Sequence, residues 1–391
     1  MLSSFNKFYS KISQKFVGAL WSKVHVSQNH ISPQAERIKY VTSFYYQNAI
    51  DLATTKSPVR LMPLTMLYSG KSPDNSHLVK SAQYLQRELP IRFAHQVSRF
   101  RKLPFIAGVH PLILEVHDLY IRSFHNLNNF PPVDSDFKDE LAYCGVLKTF
   151  LEEHKNDVSL LTKGLKDVRN FVKEKNVLED FLEKVLNSRI ATELLCKHHI
   201  ILQKEIHGNI GIITLGFSPK AVIENKIRTV KKLCEEKFGV STEFEISGHT
   251  DAKFAFITQP FGNIMQEILF NAAKATIEAN PLQPPFKMPK VEIIIANNEL
   301  DFIIKVSDRG VGIDHNKLEF VCDFDLSKHE NNFSDEHDGY LADEVEFGLP
   351  VCRTYARCLG GNIEVDSMVG YGTDVYLRLG HIDGKGESFR I

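Results

Sequence analysis

The hydrophobic pattern of this 391-residue sequence changes once, near residues 197–208. Over about 42–196, apolar residues recur three and four positions apart and glycine is scarce, which is typical of amphipathic helices. One stretch shows the repeat clearly: Leu78, Ala82, Leu85 and Leu89. Beyond the change, short strand-like runs alternate with helical ones. The pattern therefore predicts an α+β chain, with a helical bundle over 36–200 and an α/β domain over 201–391.

Composition excludes several classes of protein. The 47 Lys and Arg residues balance 48 Asp and Glu residues, so the chain lacks the basic footprint of nucleic-acid binders. No apolar run approaches the roughly 20 residues that a membrane-spanning helix needs. The six cysteines form no CxxC pair and have no histidines at zinc-finger spacing, which favours buried free thiols in a reducing compartment.

The N-terminal segment has a composition of its own. Lys7, Lys11, Lys15 and Lys23 stand among serines and aromatic residues, and the first acidic residue is Glu36. This composition predicts a mitochondrial transit peptide over 1–35. Because the segment contains no arginine, a disordered basic tail is the alternative.

Prolines and glycines divide both halves further. Five prolines are expected to break the helical half: Pro90, Pro104, Pro111, Pro131 and Pro132. Two long antiparallel helices are expected between Leu141 and Leu186. In the second half the pattern predicts helices over Pro219–Phe238, over Phe261–Ala279 and around Tyr355. The predicted strands are Ile210–Thr214, Val291–Ala296, Phe302–Ser307, Asn362–Ser367 and Thr373–Leu379.

Two of four ordered motifs lie before residue 315. Glu267 and Asn271 are one helical turn apart and share a face that could meet a metal nucleotide, although such a pair alone is most often a solvated stripe. At the end of a strand-like run follows a DxGxG turn with Asp308, Gly310 and Gly312. Its carboxylate can accept a hydrogen bond from an exocyclic amine such as that of adenine, and its glycines let the backbone approach a flat ring.

The other two motifs lie near the C-terminus. Gly348–Pro350 opens the helix that bears Tyr355, so backbone amides at its N-terminus could face phosphate. Gly370–Asp374 leads into the last strand, where plain hairpin glycines are the alternative interpretation. The order and spacing of the four motifs are more specific than any one of them.

This order resembles the signature of the GHKL (Bergerat) ATPase superfamily, which contains histidine kinases, gyrase, MutL and Hsp90. Within it the sequence is similar to the mitochondrial kinases of the pyruvate and branched-chain α-ketoacid dehydrogenases, and most similar to their branched-chain branch. The matching segments are Val41–Tyr45, Met66–Gly70, Glu88–Pro90, Ile295–Asn298, Ser307–Gly310, His381–Gly384 and Glu387–Ile391. The resemblance covers nearly everything after about residue 36, and it implies a GHKL α/β sandwich behind the helical bundle.

The resemblance implies roles for individual residues. Asn271 would bind Mg²⁺ through its side-chain oxygen, Glu267 would act as general base toward an acceptor serine, and Asp308 would hold adenine. Further ATP contacts are implied for Gly310, Gly312, Ser327, Lys328, Gly348, Leu349 and Thr373. A structural K⁺ site is implied at Val321, Asp323 and Leu326, where Leu326 stands in place of a family phenylalanine.

The resemblance also implies activity and partners. It predicts a serine kinase of the mitochondrial matrix that uses Mg-ATP to phosphorylate and inactivate the decarboxylase component of the branched-chain complex. It further predicts docking on the lipoyl domain of the acyltransferase core and a homodimer. A pyruvate dehydrogenase kinase is the nearest enzymatic alternative. Asn263 stands where the pyruvate-specific branch has histidine, but the branched-chain branch lacks that histidine too.

The lid departs from the family pattern. Glu344 and Glu346 occupy positions where the family has two phosphate-loop glycines. A carboxylate about 4 Å from a phosphate charge repels it by about 1–4 kcal/mol. Three explanations stay open: an inactive kinase that serves as a lipoyl-domain-binding scaffold, glutamates that point to solvent, and an error in the gene model. A histidine kinase is disfavoured because no HExRTPL-like segment is present.

Overall fold

The computed structural model describes residues 47–59, 61–68, 75–133, 137–172, 175–204, 206–281, 287–318, 320–324 and 348–382. The chain divides into two units, Met1–Leu52 and Ala53–Ile391, and the described residues of the first unit, 47–52, are helical. The predicted transit peptide over 1–35 lies outside the described residues. So do Leu326, Ser327, Lys328, Glu344 and Glu346.

Helices make up the first part of the second unit. Their bounds are α1 Pro63–Tyr68, α2 Ser76–Phe100, α3 Phe105–Gly108, α4 Pro111–Asn128, α5 Phe137–Glu153, α6 Asp157–Arg169 and α7 Lys175–Leu202. The long helix α2 packs against α4, α5 and α7, and α6 packs against α4 and α7. Each of the four apolar residues that define the predicted repeat of α2 is buried, which confirms that prediction.

Two predictions in the helical region are wrong. Pro90 lies inside α2 instead of ending it. A proline inside a helix costs about 3 kcal/mol of stability. This cost is offset by the packing of α2 against three other helices and by the buried Glu88–Arg92 ion pair of 2.8 Å, whose residues lie on either side of the proline. Between Leu141 and Leu186 the structure has parts of three helices instead of two. The break before Asp157 contains no proline or glycine, so composition gave no sign of it.

The described strands form two sheets. Their bounds are β1 Asn209–Ile210, β2 Ile213–Phe217, β3 Phe244–Gly248, β4 Phe254–Ile257, β5 Val291–Asn297, β6 Asp301–Ser307, β7 Asn362–Met368 and β8 Gly372–Gly380. The smaller sheet has the order β1-β2-β4 and the larger one the order β3-β5-β6-β8-β7. The pairing of β3 with β5 is parallel and the other pairings are antiparallel, so the larger sheet is mixed.

Among the described residues, four further helices accompany the sheets: α8 Pro219–Phe238, α9 Thr258–Ala279, α10 His315–Leu318 and α11 Leu349–Cys358. Buried and exposed residues alternate along β5, so one face of the sheet meets helices and the other meets solvent. The helix α9 packs on β2, β5 and β6 and against α8. This arrangement confirms the predicted α+β class, with helices on one face of a mixed sheet.

The sequence pattern located most elements of this domain. Helix α8 is confirmed residue for residue, and α9 begins three residues earlier than predicted. The single strand expected over 210–214 is instead the hairpin β1–β2, which turns at Gly211 with φ of 55°. Strands β3 and β4 were not predicted. All six cysteines are free thiols, five of them buried, and no described helix is both long and apolar enough to cross a membrane.

Candidate nucleotide-binding and phosphoryl-transfer site

Glu267 and Asn271 lie on one face of α9, as their spacing predicted. Asn271 Nδ2 donates a hydrogen bond of 3.1 Å to Glu267 Oε1. The carboxamide nitrogen is therefore occupied, and within the described residues no group donates to Asn271 Oδ1. An amide oxygen held in this way is a suitable ligand for a hard cation such as Mg²⁺.

The surroundings of Glu267 make its carboxylate a better base. Burial raises the pKa of Glu267, and the hydrogen bond from Asn271 and the charges of Lys237 and Lys274 offset part of that rise. A carboxylate with a raised pKa accepts a proton more readily from a hydroxyl. These properties suit a general base.

The beginning of α11 meets Glu267 directly. Gly348 has φ of 52°, and a Cβ atom at this position would lie 3.1 Å from Glu267 Oε1. Burial and then the charge of Glu267 raise the pKa of Cys352, in the first turn of α11, well above its usual value. The first amides of a helix have no partners within the helix and bind anions. Leu349 therefore starts a helix whose N-terminus can face a phosphate beside Glu267.

Asp308 is buried at the turn after β6, with 4% of its surface exposed. Its Oδ1 accepts hydrogen bonds from the amides of Gly310 at 2.8 Å and Thr373 at 3.2 Å. Burial raises the pKa of Asp308, and these two hydrogen bonds lower it in part. Oδ1 is thus fixed by the backbone. The second oxygen is left to accept a hydrogen bond from a ligand such as an exocyclic amine.

The glycines of the DxGxG turn allow close packing on both sides. A Cβ atom on Gly310 would lie 2.8 Å from Ala275 Cβ, so the turn rests directly on α9. Gly312 has φ of 75°, and a Cβ atom there would overlap the carbonyl oxygen of Met368. Ala275 is one turn beyond Asn271 on the same helix. The structure therefore brings Asp308, Asn271 and Glu267 together along α9.

Ser367 links the two glycine motifs, although the sequence analysis did not single it out. Its hydroxyl accepts a hydrogen bond of 2.8 Å from the Ile313 amide and lies 2.9 Å from Thr373 Oγ1. It also donates to the Gly372 carbonyl at 3.0 Å. The sequence signal that could have identified Ser367 is its position as a polar residue just before the glycine turn. Ser367 holds the Asp308 turn and the Thr373 strand in register.

Two of the three predicted potassium ligands lie within the described residues. Val321 and Asp323 stand in the turn after α10, and Arg353 of α11 pairs with Asp323 Oδ1 at 2.6 Å. Leu326, Ser327 and Lys328 lie outside the described residues. In the part of the chain that the structure describes, His, Cys, Asp and Glu side chains form no group of three or more that could hold a metal ion.

Comparison with known proteins supplies independent information. Residues 58–214 match the family described as mitochondrial branched-chain alpha-ketoacid dehydrogenase kinase, and residues 258–381 match the histidine kinase-, DNA gyrase B- and HSP90-like ATPases. The mitochondrial pyruvate dehydrogenase (acetyl-transferring) kinase of Arabidopsis thaliana is 29% identical over 82% of this chain and 90% of its own length. Isozyme 4 of Rattus norvegicus is 27% identical over 84% and 83%. Kinase 1 of Saccharomyces cerevisiae is 25% identical over 73% and 74%.

Proposed function

We propose that this chain, a member of the family of mitochondrial pyruvate and branched-chain α-ketoacid dehydrogenase kinases, phosphorylates a serine of the branched-chain decarboxylase component. Membership of this family makes it a mitochondrial ATP-dependent protein kinase. Transfer to that serine would inactivate the complex. The proposal extends to a lipoyl-domain contact made by a helical domain over 36–200, to an ATP-binding domain over 201–391, and to a homodimer.

One observation carries the proposal: the groups needed for phosphoryl transfer lie in a row along α9. The turn that carries Asp308 rests on Ala275 through Gly310, Asn271 lies one turn earlier on α9, and Glu267 lies one turn before that, against the N-terminus of α11. Residues four positions apart in an α-helix are about 6 Å apart along its axis. This spacing suits a nucleotide that lies along the helix, with its base at Asp308 and its γ-phosphate near Glu267.

The chemistry follows from these positions. Glu267 would accept the proton of the serine hydroxyl while the serine oxygen bonds to the γ-phosphorus and the bond to the bridging oxygen of ADP breaks. Asn271 would hold Mg²⁺, which neutralises charge on the phosphates when bound. Amides at Gly348 and Leu349 would face the phosphates. We also propose that Val321, Asp323 and Leu326 hold K⁺ through carbonyl oxygens.

The choice of substrate is tested by direct competition between the two family substrates. Residues 58–214 match the branched-chain kinase family, while the relatives named above are pyruvate dehydrogenase kinases, so both substrates belong in the experiment. Purified branched-chain and pyruvate decarboxylase components would be incubated with the kinase and labelled Mg-ATP. We expect incorporation into the branched-chain component. Preferential labelling of the pyruvate component would refute this substrate assignment.

A scaffold without kinase activity is the second candidate, favoured by Glu344 and Glu346 in the lid. Replacing both with glycine removes two negative charges, and we expect it to tighten ATP binding. A thermal-shift titration with Mg-ATP measures this, because a ligand that binds the folded state stabilises it by about 2.7 kcal/mol at 100 times its Kd. Equal affinity of both proteins would mean that the glutamates point away. Retention of residues 36–391 on an immobilised lipoyl domain tests the docking proposal.

A further inference from the structure

A cavity of about 480 Å³ lies where the helical bundle meets the first turns of α9. Gln259, Asn263 and Gln266 line it from α9, and Val351 and Tyr355 line it from α11. A second cavity of about 420 Å³ adjoins it and shares Gln259 and Asn263. The two cavities together form a groove along the beginning of the helix that carries the proposed base.

The groove lies on the far side of Glu267 from the adenine-binding turn. Along α9 the order is Ala275 beside that turn, then Asn271, then Glu267, then Asn263 in the groove. In-line phosphoryl transfer requires the acceptor oxygen to approach opposite the leaving ADP. A serine that enters through the groove would approach Glu267 from that side.

One cation of the groove interacts with a neutral side chain. Lys226 of α8 is half-buried, lines both cavities, and donates from Nζ to Gln266 Oε1 at 2.9 Å. No carboxylate among the described residues pairs with Lys226, and burial lowers its pKa. Elsewhere in the groove, Glu193 already pairs with Arg189 and Lys197. Among the described residues Lys226 therefore has no anionic partner, although part of its side chain is withdrawn from water.

We propose that this groove holds the phosphoacceptor segment of the protein substrate, with Lys226 paired to an acidic side chain next to the acceptor serine. The inference rests on the proposed kinase function, because it takes Glu267 as the base. Two adjoining cavities suit an extended peptide better than a small anion. The substrate class is thus a serine flanked by aspartate or glutamate.

The test measures binding first and transfer second. Fluorescence anisotropy would report the affinity of a serine peptide with an aspartate on either side, and of its asparagine counterpart, for the full chain. Lys226→Gln removes the positive charge of Lys226 and leaves Arg189 and Lys197 in the groove. Lys232→Gln removes an equal charge from an exposed position on the same helix and is the matched control. Melting temperature and ATP affinity verify that each variant is folded.

We expect the wild type and the Lys232→Gln variant to bind the aspartate peptide about tenfold tighter than the asparagine peptide, and the Lys226→Gln variant to bind both equally. Lys226→Glu should instead prefer a lysine peptide. The inference is wrong if the wild type does not distinguish the peptides, or if Lys226→Gln keeps the preference. Peptide preference without phosphate transfer to either decarboxylase would refute the kinase assignment alone, since the affinities do not depend on transfer.

Discussion

At the scale of single residues, the proposed role of Glu267 has a pH signature. Its pKa is raised by burial, and a base must be deprotonated, so transfer should slow as the pH falls through that raised pKa. Lys274→Gln removes a charge that lowers the pKa and should move the acid limb of the kcat–pH profile upward. Lys290→Gln, which removes a cation paired with Glu245 at 3.1 Å, is the control and should leave the limb in place.

Substitution of Glu267 itself provides the stronger test. We expect Glu267→Gln to slow transfer by about 10²–10⁴-fold, the usual loss when a general base is removed. ATP affinity should be kept, because no proposed ATP contact is removed. Asn271→Ala, in contrast, should abolish transfer through loss of the proposed Mg²⁺ ligand. Transfer by the Asn271→Ala variant at the wild-type rate would exclude the proposed site.

Substitutions at two glycines measure the cost of backbone strain with and without a steric clash. Gly312 and Gly370 both have positive φ, of 75° and 81°, but a Cβ atom at Gly312 would overlap the Met368 carbonyl while one at Gly370 meets open space. Gly370→Ala should lower the free energy of unfolding by about 1–2 kcal/mol from φ strain alone. Gly312→Ala should cost more and should also weaken ATP binding, because the Asp308 turn must shift. Urea denaturation and ATP titration measure both effects, and equal losses in the two variants would contradict this account.

At the scale of elements, a buried ion pair joins α6 to α7. Asp157 Oδ1 lies 2.8 Å from Arg189 Nε and forms an ion pair with it, although the angle between the two groups is not that of a hydrogen bond. Asp157 Oδ2 accepts a hydrogen bond of 3.0 Å from the Tyr120 hydroxyl. Burial alone would raise the pKa of Asp157, but Arg189, His154 and Tyr120 outweigh it and lower the pKa. The break before α6 thus places a charged residue in the bundle core.

Asp157→Asn should destabilise the chain by about 3–5 kcal/mol, because Arg189 loses its fully buried counter-charge. The stabilisation from a carboxyl with a lowered folded pKa is present above its unfolded pKa of about 4 and is lost as the pH falls through the folded value. The variant should therefore lose part of the acid sensitivity of the wild type below about pH 4. Unfolding in urea at several pH values tests this, with Glu243→Gln, which breaks the exposed 2.7 Å Lys231–Glu243 pair, as a control expected to cost under about 1 kcal/mol.

Some helices and strands could be predicted from their local sequence and others could not. Helix α8 was predictable because Pro219 stands at its first turn and Gly239 follows its last residue with φ of 72°. Strands β3 and β4 were not predictable, because they are only five and four residues long and polar residues border β3. The shared face of Glu267 and Asn271 on α9 was predictable from their spacing of one helical turn. The position of Lys226 beside Gln266 was not predictable, because it depends on the packing of α8 on α9.

At the scale of the whole unit Ala53–Ile391, α11 connects the proposed phosphate site to the helical bundle. Its first turn meets Glu267, and in its last turn Arg357 Nη1 lies 2.6 Å from Glu183 Oε1 of α7. Cys358 Sγ lies 3.5 Å from Asn187 Oδ1, also on α7. A ligand that orders the beginning of α11 should therefore also stabilise α7.

Hydrogen exchange with and without Mg-ATP tests this connection. In the wild type, Mg-ATP should slow amide exchange in both α11 and α7. In Arg357→Met the protection of α11 should remain while that of α7 falls roughly two- to fivefold, because a partly exposed ion pair contributes about 0.4–1 kcal/mol. Lys184→Met removes a neighbouring cation of α7 that pairs with Asp180 at 3.8 Å, and it should behave as the wild type does. If Arg357→Met transmits the full protection to α7, the packing of α11 on α7 carries the coupling without the ion pair; if Mg-ATP protects α11 but never α7, the bundle and the nucleotide site are not coupled through this helix.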